Sequence, residues 1–282
     1  MKIIFFGTPE YVMPVLKRLH REHEIVAVVT QPPSEVGREK KVKRTEVDHW
    51  AYKRKIPIFF DFGKPLPAAD LGVLAAYGKI IPKDVILNTK YGIFNIHPSL
   101  LPKYKGASPV QAAITNGEQT TGVTIIKMDE KLDHGPILSS FREDINPDDT
   151  TGSLRERLFQ RSAQFVVDLI PNYLSGKIKP KKQDHAKATL TKILKREDGF
   201  IDAERFTSEA RKVECLIRAM DPWPGAWTLH RLSASEGQAK RLKILKAHLK
   251  NHKLILDKVQ LEGKTPVSFE EFKRGYPDFE FS

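Results

Sequence analysis

The size and composition of the chain place it among folded, water-soluble proteins. It has 282 residues, of which 40% are hydrophobic, which is typical of one large domain with a smaller one attached. A single cysteine, Cys215, cannot form a disulfide within the chain, and this favours a reducing, cytoplasmic location. No run of about 18 apolar residues occurs, so no membrane span is expected. The net charge of +12 favours a polyanionic partner.

Strands and helices alternate in the first 175 residues. In chain order the predicted elements are strand Lys2–Phe6, helix Tyr11–His20, strand Glu24–Thr30, helix Glu46–Arg54, strands Ile56–Phe60 and Leu71–Tyr77, helix Pro82–Leu87, strands Tyr91–His97, Thr121–Met128 and Gly135–Phe141, and helix Ser153–Leu174. The apolar runs are typical of strands that are buried on both faces. This alternation predicts an α/β fold with a Rossmann-like, mostly parallel sheet.

The remaining residues are more basic and hold most of the net charge. Residues 176–191 are rich in lysine, are interrupted by Gly176 and Pro180, and are predicted to form a linker. A smaller domain is predicted over residues 192–282. Its expected elements are helix Phe206–Met220, a rigid turn at Pro222–Trp227, and strands Leu242–Ala247 and Leu254–Leu261.

The end of the strand at His97 carries the most informative motif. Asn95 and His97 alternate with Ile96, so we expect their side chains on one face at the carboxyl end of the strand, where sites in parallel sheets form. An Asn amide can donate to an oxyanion that develops on a carbonyl oxygen, and a His can carry a proton from an attacking amine. The alternative for an isolated pair is an Asn that caps a turn beside a structural His.

Asp133 lies in a predicted turn between the last two strands of this half. A carboxylate at this point could orient His97 or hold a water that relays protons. The alternative is a turn-forming Asp, which is common before glycine. Asp129, Glu130 and His134 are neighbouring candidates that the strand pattern does not favour.

Two stretches together resemble the formyltransferase family that uses N10-formyltetrahydrofolate. They are Phe94–Gly106, FNIHPSLLPKYKG, and Leu132–Leu138, LDHGPIL. The resemblance implies a catalytic trio, and it carries this role to Asn95, His97 and Asp133. It also implies the formyltransferase fold and a mechanism that needs no metal.

The same resemblance implies a folate pocket. The S-L-L-P turn of the family lines this pocket, and so does a second segment that resembles Ala75–Pro82. The implied folate-binding residues are Ser99, Leu100, Leu101, Pro102, Ile80 and Ile81. Core packing is the alternative for the two isoleucines.

Three further stretches resemble the members of this family that act on methionyl-tRNA. They are Phe5–Leu19, Thr30–Lys43 and Asp198–Thr228, so the resemblance covers nearly the whole chain. It implies methionyl initiator tRNA as the formyl acceptor, with a basic loop that enters the acceptor end. The alternatives are an N-formyltransferase of amino-sugar nucleotides and a non-catalytic RNA-binding module. A monomer is expected, because no unusually apolar surface helix stands out.

The basic loop places five cations within seven residues, and such a density of like charge repels itself unless it is solvated or paired. A surface loop without a partner is the alternative. Arg38 is the candidate for contacts with base edges, because a planar guanidinium reads edges as well as phosphates. The predicted tRNA-binding residues are Arg38, Lys40, Lys41, Lys43 and Arg44.

The chain departs from the family pattern at three places. Glu39 stands in the basic loop where the family usually has glycine. Residues 60–70 are shorter than expected, which predicts the loss of a helix. Leu242–Pro266 resembles the ends of an OB-type barrel without its middle strands, so we expect a shortened OB-like domain with a partial sheet for tRNA binding.

Overall fold

The computed structural model describes residues 1–36, 41–230, 240–277 and 279. The chain divides into two compact units. The first comprises Met1–Ala107, Thr120–Asp144 and Arg155–Thr191, and the second comprises Ser108–Gln119, Ile145–Leu154 and Lys192–Ser282. The stretch predicted as a linker therefore belongs to the first unit as far as residue 191. The predicted domain boundaries stay a prediction.

A mostly parallel sheet forms the centre of the first unit. Within the described residues its seven strands are β1 (Lys2–Gly7), β2 (Glu24–Val29), β3 (Ile58–Phe59), β4 (Leu71–Ala75), β5 (Ile93–His97), β6 (Thr120–Lys127) and β7 (Ile137–Asp144). The order across the sheet is β7-β6-β5-β4-β1-β2-β3. Strands β1 to β5 run parallel, whereas β6 is antiparallel to both of its neighbours. The Rossmann-like sheet predicted from the sequence is confirmed.

Eight α-helices occur in the described part of the chain. They are α1 (Met13–Glu22), α2 (Glu46–Lys53), α3 (Lys83–Leu87), α4 (Pro109–Thr115), α5 (Thr151–Leu174), α6 (Arg205–Ser208), α7 (Ala210–Met220) and α8 (Phe269–Gly275). None of these helices is both long enough and apolar enough to cross a membrane.

The hydrophobic pattern explains how helices and sheet meet in the first unit. In β1 every residue after Lys2 is buried, as expected for a strand with cover on both faces. In α1 the buried residues recur at helical spacing, and Pro14 stands in the first turn, where its missing N–H costs nothing. A single turn of 3₁₀-helix, Glu10–Val12, precedes α1 in the predicted helical segment.

Two short pairings flank the main sheet. Ser34–Val36 pairs antiparallel with Lys41–Lys43, so the stretch predicted as a basic loop is flanked by a short hairpin ladder. Lys105–Gly106 pairs in parallel with Leu190–Thr191. Residues 60–70, all of which are described, contain no helix, as predicted.

The second unit carries an antiparallel sheet. Its strands in the described residues are β8 (Ala226–His230), β9 (Lys240–Lys250), β10 (Lys253–Leu261) and β11 (Val267–Ser268), in that order across the sheet. This agrees with the expected partial sheet, although β8 and β11 had no strand signal. The predicted helix Phe206–Met220 is in fact two helices, α6 and α7, because the backbone at Glu209 leaves the helical region with φ −130°.

Candidate active site

Strand β5 delivers Asn95 and His97 to the carboxyl end of the sheet. It lies between β4, which is parallel to it, and β6, which is antiparallel, and His97 is paired with Thr124 of β6. Both side chains are deeply buried, at 8% and 4% exposed. The alternation predicted from the sequence therefore places an amide and an imidazole together at the end of β5, where the parallel part of the sheet meets the antiparallel strand β6.

The carboxylate of Asp133 joins these two side chains. Asn95 Nδ2 donates to Asp133 Oδ1 at 3.1 Å, and His97 Nδ1 lies 3.5 Å from the same oxygen. The backbone N–H of Gly106 donates to the other oxygen, Oδ2, at 2.8 Å. Asp133 is itself 7% exposed and adopts a left-handed backbone conformation with φ 46°. The structure thus brings the three predicted catalytic side chains into one buried cluster.

The hydrogen-bond partners of His97 show which of its two ring nitrogens carries the hydrogen. Nε2 lies 2.9 Å from the backbone oxygen of Tyr104, and a carbonyl can only accept, so Nε2 carries a hydrogen and donates it. The second nitrogen, Nδ1, is the one that faces Asp133. Tyr104 is held in turn, because its N–H donates to Thr189 Oγ1 at 2.8 Å. His97 can therefore exchange a proton only through Nδ1 while this arrangement holds.

A close backbone approach at Gly135 shapes the turn that carries Asp133. A Cβ atom at this position would lie 1.9 Å from the carbonyl oxygen of Lys127, the last residue of β6. Real Cβ atoms do not approach a backbone oxygen so closely, so only glycine fits here. The glycine that marked this turn in the sequence is thus required for the course of the backbone beside Asp133.

The turn Ser99–Pro102 is anchored to β6 through one threonine. Thr124 Oγ1 donates to the carbonyl of Ser99 at 2.7 Å and accepts from the N–H of Leu101 at 3.0 Å. The hydroxyl of Ser99 is fully buried and donates to the carbonyl of Lys103 at 2.7 Å. Leu100 and Pro102 are partly exposed, whereas Leu101 is buried. The turn is therefore fixed, with two of its four predicted folate-binding side chains reaching the surface.

The two isoleucines named for the folate pocket lie in different environments. Ile81 is 5% exposed and belongs to the core cluster that contains Phe6, Val29 and Tyr77. Ile80 is 90% exposed, just beyond the carboxyl end of β4, the neighbour of β5. Core packing, the alternative stated for both, describes Ile81, whereas Ile80 offers an open apolar surface.

The basic residues predicted to bind tRNA are only partly described. Arg38 and Lys40 lie outside the described residues, as does Glu39. Lys41 and Lys43 are exposed, and the ammonium of Lys43 is 3.9 Å from Glu46.

Arg44 differs from the other described cations of this stretch. Its Nη1 donates to the buried carboxylate of Asp48 at 2.8 Å, and its guanidinium lies 4.5 Å from the ring centre of Tyr52. Both partners belong to α2. Arg44 therefore ties the base of the hairpin to this helix.

Two polar residues beside the site, Lys105 and His185, were not among the candidates that the sequence offered. Lys105 is 5% exposed, and its Nζ lies 3.1 Å from His185 Nδ1. Burial lowers the pKa of Lys105, and the carboxylates of Asp133 and Asp129 partly oppose this. The ring of His185 stacks on that of His134 with 4.0 Å between centres. No hydrophobic period marks these residues, so sequence patterns pass over them.

One more buried group, Gln183, contacts the turn of Asp133. Its Nε2 donates to the carbonyl oxygens of Asp133 at 2.9 Å and Gly135 at 2.7 Å. This residue was predicted to lie in a linker. Among the described residues, no group of three or more His, Cys, Asp and Glu side chains is arranged to hold a metal ion.

An amide donor, an imidazole and a carboxylate buried at a strand end form a site for group transfer at a carbonyl carbon. Comparison with known proteins agrees with this class. The Formyl transferase family matches residues 1–170, and the Formyl transferase C-terminal domain matches residues 193–255. The chain belongs to the formyl transferase family and is an enzyme.

A relative supports this assignment, and two solved structures share the fold. The methionyl-tRNA formyltransferase of Roseiflexus castenholzii is 37% identical over 310 residues, which cover 98% of this chain and 96% of the relative. The structure of methionyl-tRNA formyltransferase from Clostridium thermocellum matches with TM-score 0.59 and 21% identity over 93% of this chain and 98% of that one. An N-formyltransferase from Helicobacter canadensis, in complex with folinic acid and dTDP-3-aminofucose, matches with TM-score 0.68 and 18% identity over 95% and 98%. The two structures show a shared fold.

Proposed function

We propose that this enzyme transfers the formyl group of N10-formyltetrahydrofolate to the free α-amine of methionyl initiator tRNA, without a metal. The observation that carries the chemistry is the Asp133 carboxylate, which contacts both Asn95 and His97 in a buried cluster. The acceptor is supported by the relative from Roseiflexus castenholzii, which is named for it.

The reaction forms one bond and breaks one bond. The amine nitrogen bonds to the formyl carbon, the bond from that carbon to N10 breaks, and one proton passes from the amine to N10. Asn95 serves the oxygen of the formyl group. The amide NH₂ of Asn95 has two hydrogens, and one of them is hydrogen-bonded to Asp133. The other can donate to the formyl oxygen as this oxygen gains negative charge.

His97 and Asp133 handle the proton. Because Nε2 is committed to Tyr104, Nδ1 is the atom that receives the proton from the amine, directly or through a water. The negative charge of Asp133 beside Nδ1 balances the imidazolium that results. The Gly106 N–H keeps that carboxylate in place during the transfer.

Residues beyond the carboxyl ends of β4 and β5 support a folate donor. Leu100 and Pro102 are partly exposed on a turn that Thr124 fixes, and Ile80 is an exposed isoleucine after β4. Apolar walls with few polar groups are typical of sites for aromatic ligands. When bound, the donor supplies an activated formyl carbon, and these residues would hold its ring system.

Exposed lysines support a tRNA acceptor. Lys41 and Lys43 are exposed in the hairpin. In the second unit, Lys246 of β9 stands directly opposite Lys258 of β10, and both are exposed. Like charges opposite each other in a sheet repel, and an RNA backbone relieves such repulsion because it is a polyanion.

Formyl transfer to charged initiator tRNA by the purified protein tests the proposal. Asp133→Asn keeps the shape of the side chain but removes its charge, so we expect kcat to fall by roughly 10²- to 10⁴-fold. Asp129→Asn is the matched control, because this carboxylate is bonded to His134 rather than to the trio. The control should retain activity within about threefold. Absence of turnover by the wild-type protein, or wild-type rates for Asp133→Asn, overturns the proposal.

The acceptor has its own test. An amino-sugar nucleotide is the alternative, and the relative from Helicobacter canadensis shares the fold at TM-score 0.68. Phosphate contacts make tRNA binding weaken steeply with salt, whereas a small nucleotide makes few such contacts. Faster turnover of an amino-sugar nucleotide than of methionyl-tRNA would assign the enzyme to the alternative.

A further inference from the structure

The segment Lys181–Thr191, here called the strap, lies along two loops of the active site. At one end the backbone groups of Lys181 and Ile137 exchange hydrogen bonds of 2.7 and 2.8 Å. At the other end Leu190–Thr191 pairs in parallel with Lys105–Gly106. The strap thus connects the start of β7 with the loop that follows β5, and both of its ends are fixed by backbone pairing.

Gln183 is the residue of the strap that reaches the catalytic turn. It is 7% exposed, although its neighbours along the strap are exposed. Its amide nitrogen donates to the carbonyls of Asp133 and Gly135, so one side chain bridges both sides of His134. Asp133 is in the left-handed region, which costs energy for a residue with a side chain, although Asp tolerates it better than most. The bonds from the Gln183 amide to the two carbonyls favour this conformation of the turn.

Thr189, on the same strap, holds Tyr104, whose carbonyl is the hydrogen-bond partner of His97. Its Oγ1 accepts from the N–H of Tyr104 at 2.8 Å, and its carbonyl accepts from the N–H of Lys105 at 2.8 Å. These bonds fix the peptide whose oxygen accepts from His97 Nε2. The strap therefore restrains the turn of Asp133 and the tautomer of His97 at the same time.

We propose that Gln183 is a positioning residue of the formyl-transfer site, which acts by holding the Asp133 turn against Asn95 and His97. This inference rests on the proposed function, because the side chains it positions are those of the proposed trio. Gln183 donates to backbone carbonyls only and takes no proton itself. Its loss should therefore lower the rate of the chemical step and leave the binding of both substrates nearly unchanged.

The test compares Gln183→Met with Asp184→Asn. Methionine has a similar volume and no donor, whereas Asp184 is exposed on the strap and pairs with Lys187. For Gln183→Met we expect kcat to fall by about 10- to 100-fold, with both KM values within about threefold, because small displacements of reacting groups cost rate rather than affinity. Asp184→Asn should match the wild type in every parameter.

A measurement without substrate separates this inference from the proposed function. The ¹⁵N chemical shifts of the His97 ring, assigned by comparison with His97→Gln, report the surroundings of Nδ1 and Nε2. They should move in Gln183→Met and stay unchanged in Asp184→Asn. If the wild type shows no formyl transfer, the proposed function fails, while the NMR comparison still tests whether Gln183 positions His97 and Asp133.

Two results would overturn the inference. The first is wild-type kcat in Gln183→Met with unchanged His97 shifts. The second is a loss of thermal stability in that variant without any split between kcat and KM. Should Gln183→Met fail to fold, Gln183→Asn keeps an amide but shortens the side chain by one carbon, which weakens its bonds to the carbonyls of Asp133 and Gly135. It must then show the same fall in kcat and the same movement of the His97 shifts, and wild-type behaviour again overturns the inference.

Discussion

The proposed catalytic cluster and the basic hairpin, in which Ser34–Val36 pairs with Lys41–Lys43, are built in opposite ways. In the cluster, Asn95, His97 and Asp133 are less than a tenth exposed, and backbone groups from other segments hold His97 and Asp133. In the hairpin, the described lysines are exposed, and the ladder between the two strands is three residue pairs long. The cluster holds its polar side chains in fixed positions, whereas the hairpin exposes positive charge to solvent.

This difference agrees with the role proposed for each region. Transfer of a formyl group needs reacting atoms aligned to within a fraction of an ångström, so its side chains must be held on several sides. Attraction of a polyanion depends mainly on the number of cations near its phosphates. Arg44 is an exception, because it belongs to the basic stretch and yet is held in place by contacts with Asp48 and Tyr52.

The largest effect is expected from a substitution that displaces the backbone of the turn that carries Asp133. In Gly135→Ala the new Cβ would lie 1.9 Å from the carbonyl oxygen of Lys127, so the turn that carries Asp133 has to move. We expect the free energy of unfolding to fall by about 1–3 kcal/mol, as for other overpacked sites. We also expect kcat to fall by at least about tenfold. Urea unfolding and formyl-transfer kinetics measure the two effects.

Gly275→Ala is the matched control for that substitution. A Cβ at Gly275, the last residue of α8, meets no atom within 4 Å. Its free energy of unfolding should change by no more than about 0.5 kcal/mol, and its kcat should not change. If Gly135→Ala behaves in the same way, the cluster does not depend on this close approach.

An intermediate effect is expected from substitutions that distinguish Arg44, which is paired with a buried carboxylate, from the exposed Lys43. Arg44→Met leaves the buried carboxylate of Asp48 without the guanidinium. Because the Arg44 side chain is 45% exposed, we expect a loss of stability nearer the roughly 1 kcal/mol of an exposed pair than the roughly 3–5 kcal/mol of a buried one. Lys43→Met should instead raise KM for tRNA and reduce the dependence of binding on salt by about one phosphate contact.

The double substitution Arg44→Met with Asp48→Asn checks the reason given for Arg44. It should recover part of the stability, because no buried charge is left unpaired. Equal stability of Arg44→Met and the wild type would show that the contacts of Arg44 with Asp48 and Tyr52 do not stabilise the fold. Unfolding and filter binding of tRNA at several salt concentrations give both quantities.

The smallest expected effect concerns Lys105, at the edge of the cluster. Its pKa is lowered from the ordinary 10.5 by burial, against the opposing pull of Asp133 and Asp129. His185 also faces this group, and the ring of His134 stacks on that of His185.

Between the lowered pKa and 10.5, the unfolded chain therefore binds more protons at this lysine than the folded chain does. The contribution of Lys105 to the free energy of unfolding must rise with pH across that window. A tenfold change in proton affinity corresponds to about 1.4 kcal/mol.

Lys105→Met removes this rise, and Lys17→Met is its control. The stability of Lys105→Met relative to the wild type should be greatest at neutral pH and decline as the pH approaches 10.5. Lys17 is exposed, so the corresponding difference for Lys17→Met should stay constant. Urea unfolding of the three proteins between pH 7 and about pH 10 measures both. An opposite slope for Lys105→Met would show that the carboxylates outweigh burial.

The sequence predicts those parts of the molecule whose cause is local. β1 and β4 are continuous apolar runs, and their burial follows directly from that pattern. The alternation of Asn95 with His97 likewise predicts that their side chains share a strand face. The helix break at Glu209 and the two short strands of the second sheet depend on contacts that no periodic pattern reports.

The strap shows this limit most clearly. It belongs to a lysine-rich stretch that was predicted to be a linker, yet Gln183 and Thr189 each hold a segment of the proposed catalytic cluster. Each of these is a single polar side chain that meets residues 50 or 85 positions earlier. Such contacts have no signature in one sequence, because glutamine and threonine are common in exposed segments that make no such contact.

The position of the strap in the chain has a consequence for protein engineering. All three side chains of the proposed trio occur before residue 134, so a fragment that ends with α5 at Leu174 contains the complete set. That fragment lacks the Gln183 amide and the Thr189 hydroxyl, which are the external supports of the set. Chimeras that exchange the C-terminal part between relatives should therefore be joined after Thr191, so that the strap travels with the sheet it braces.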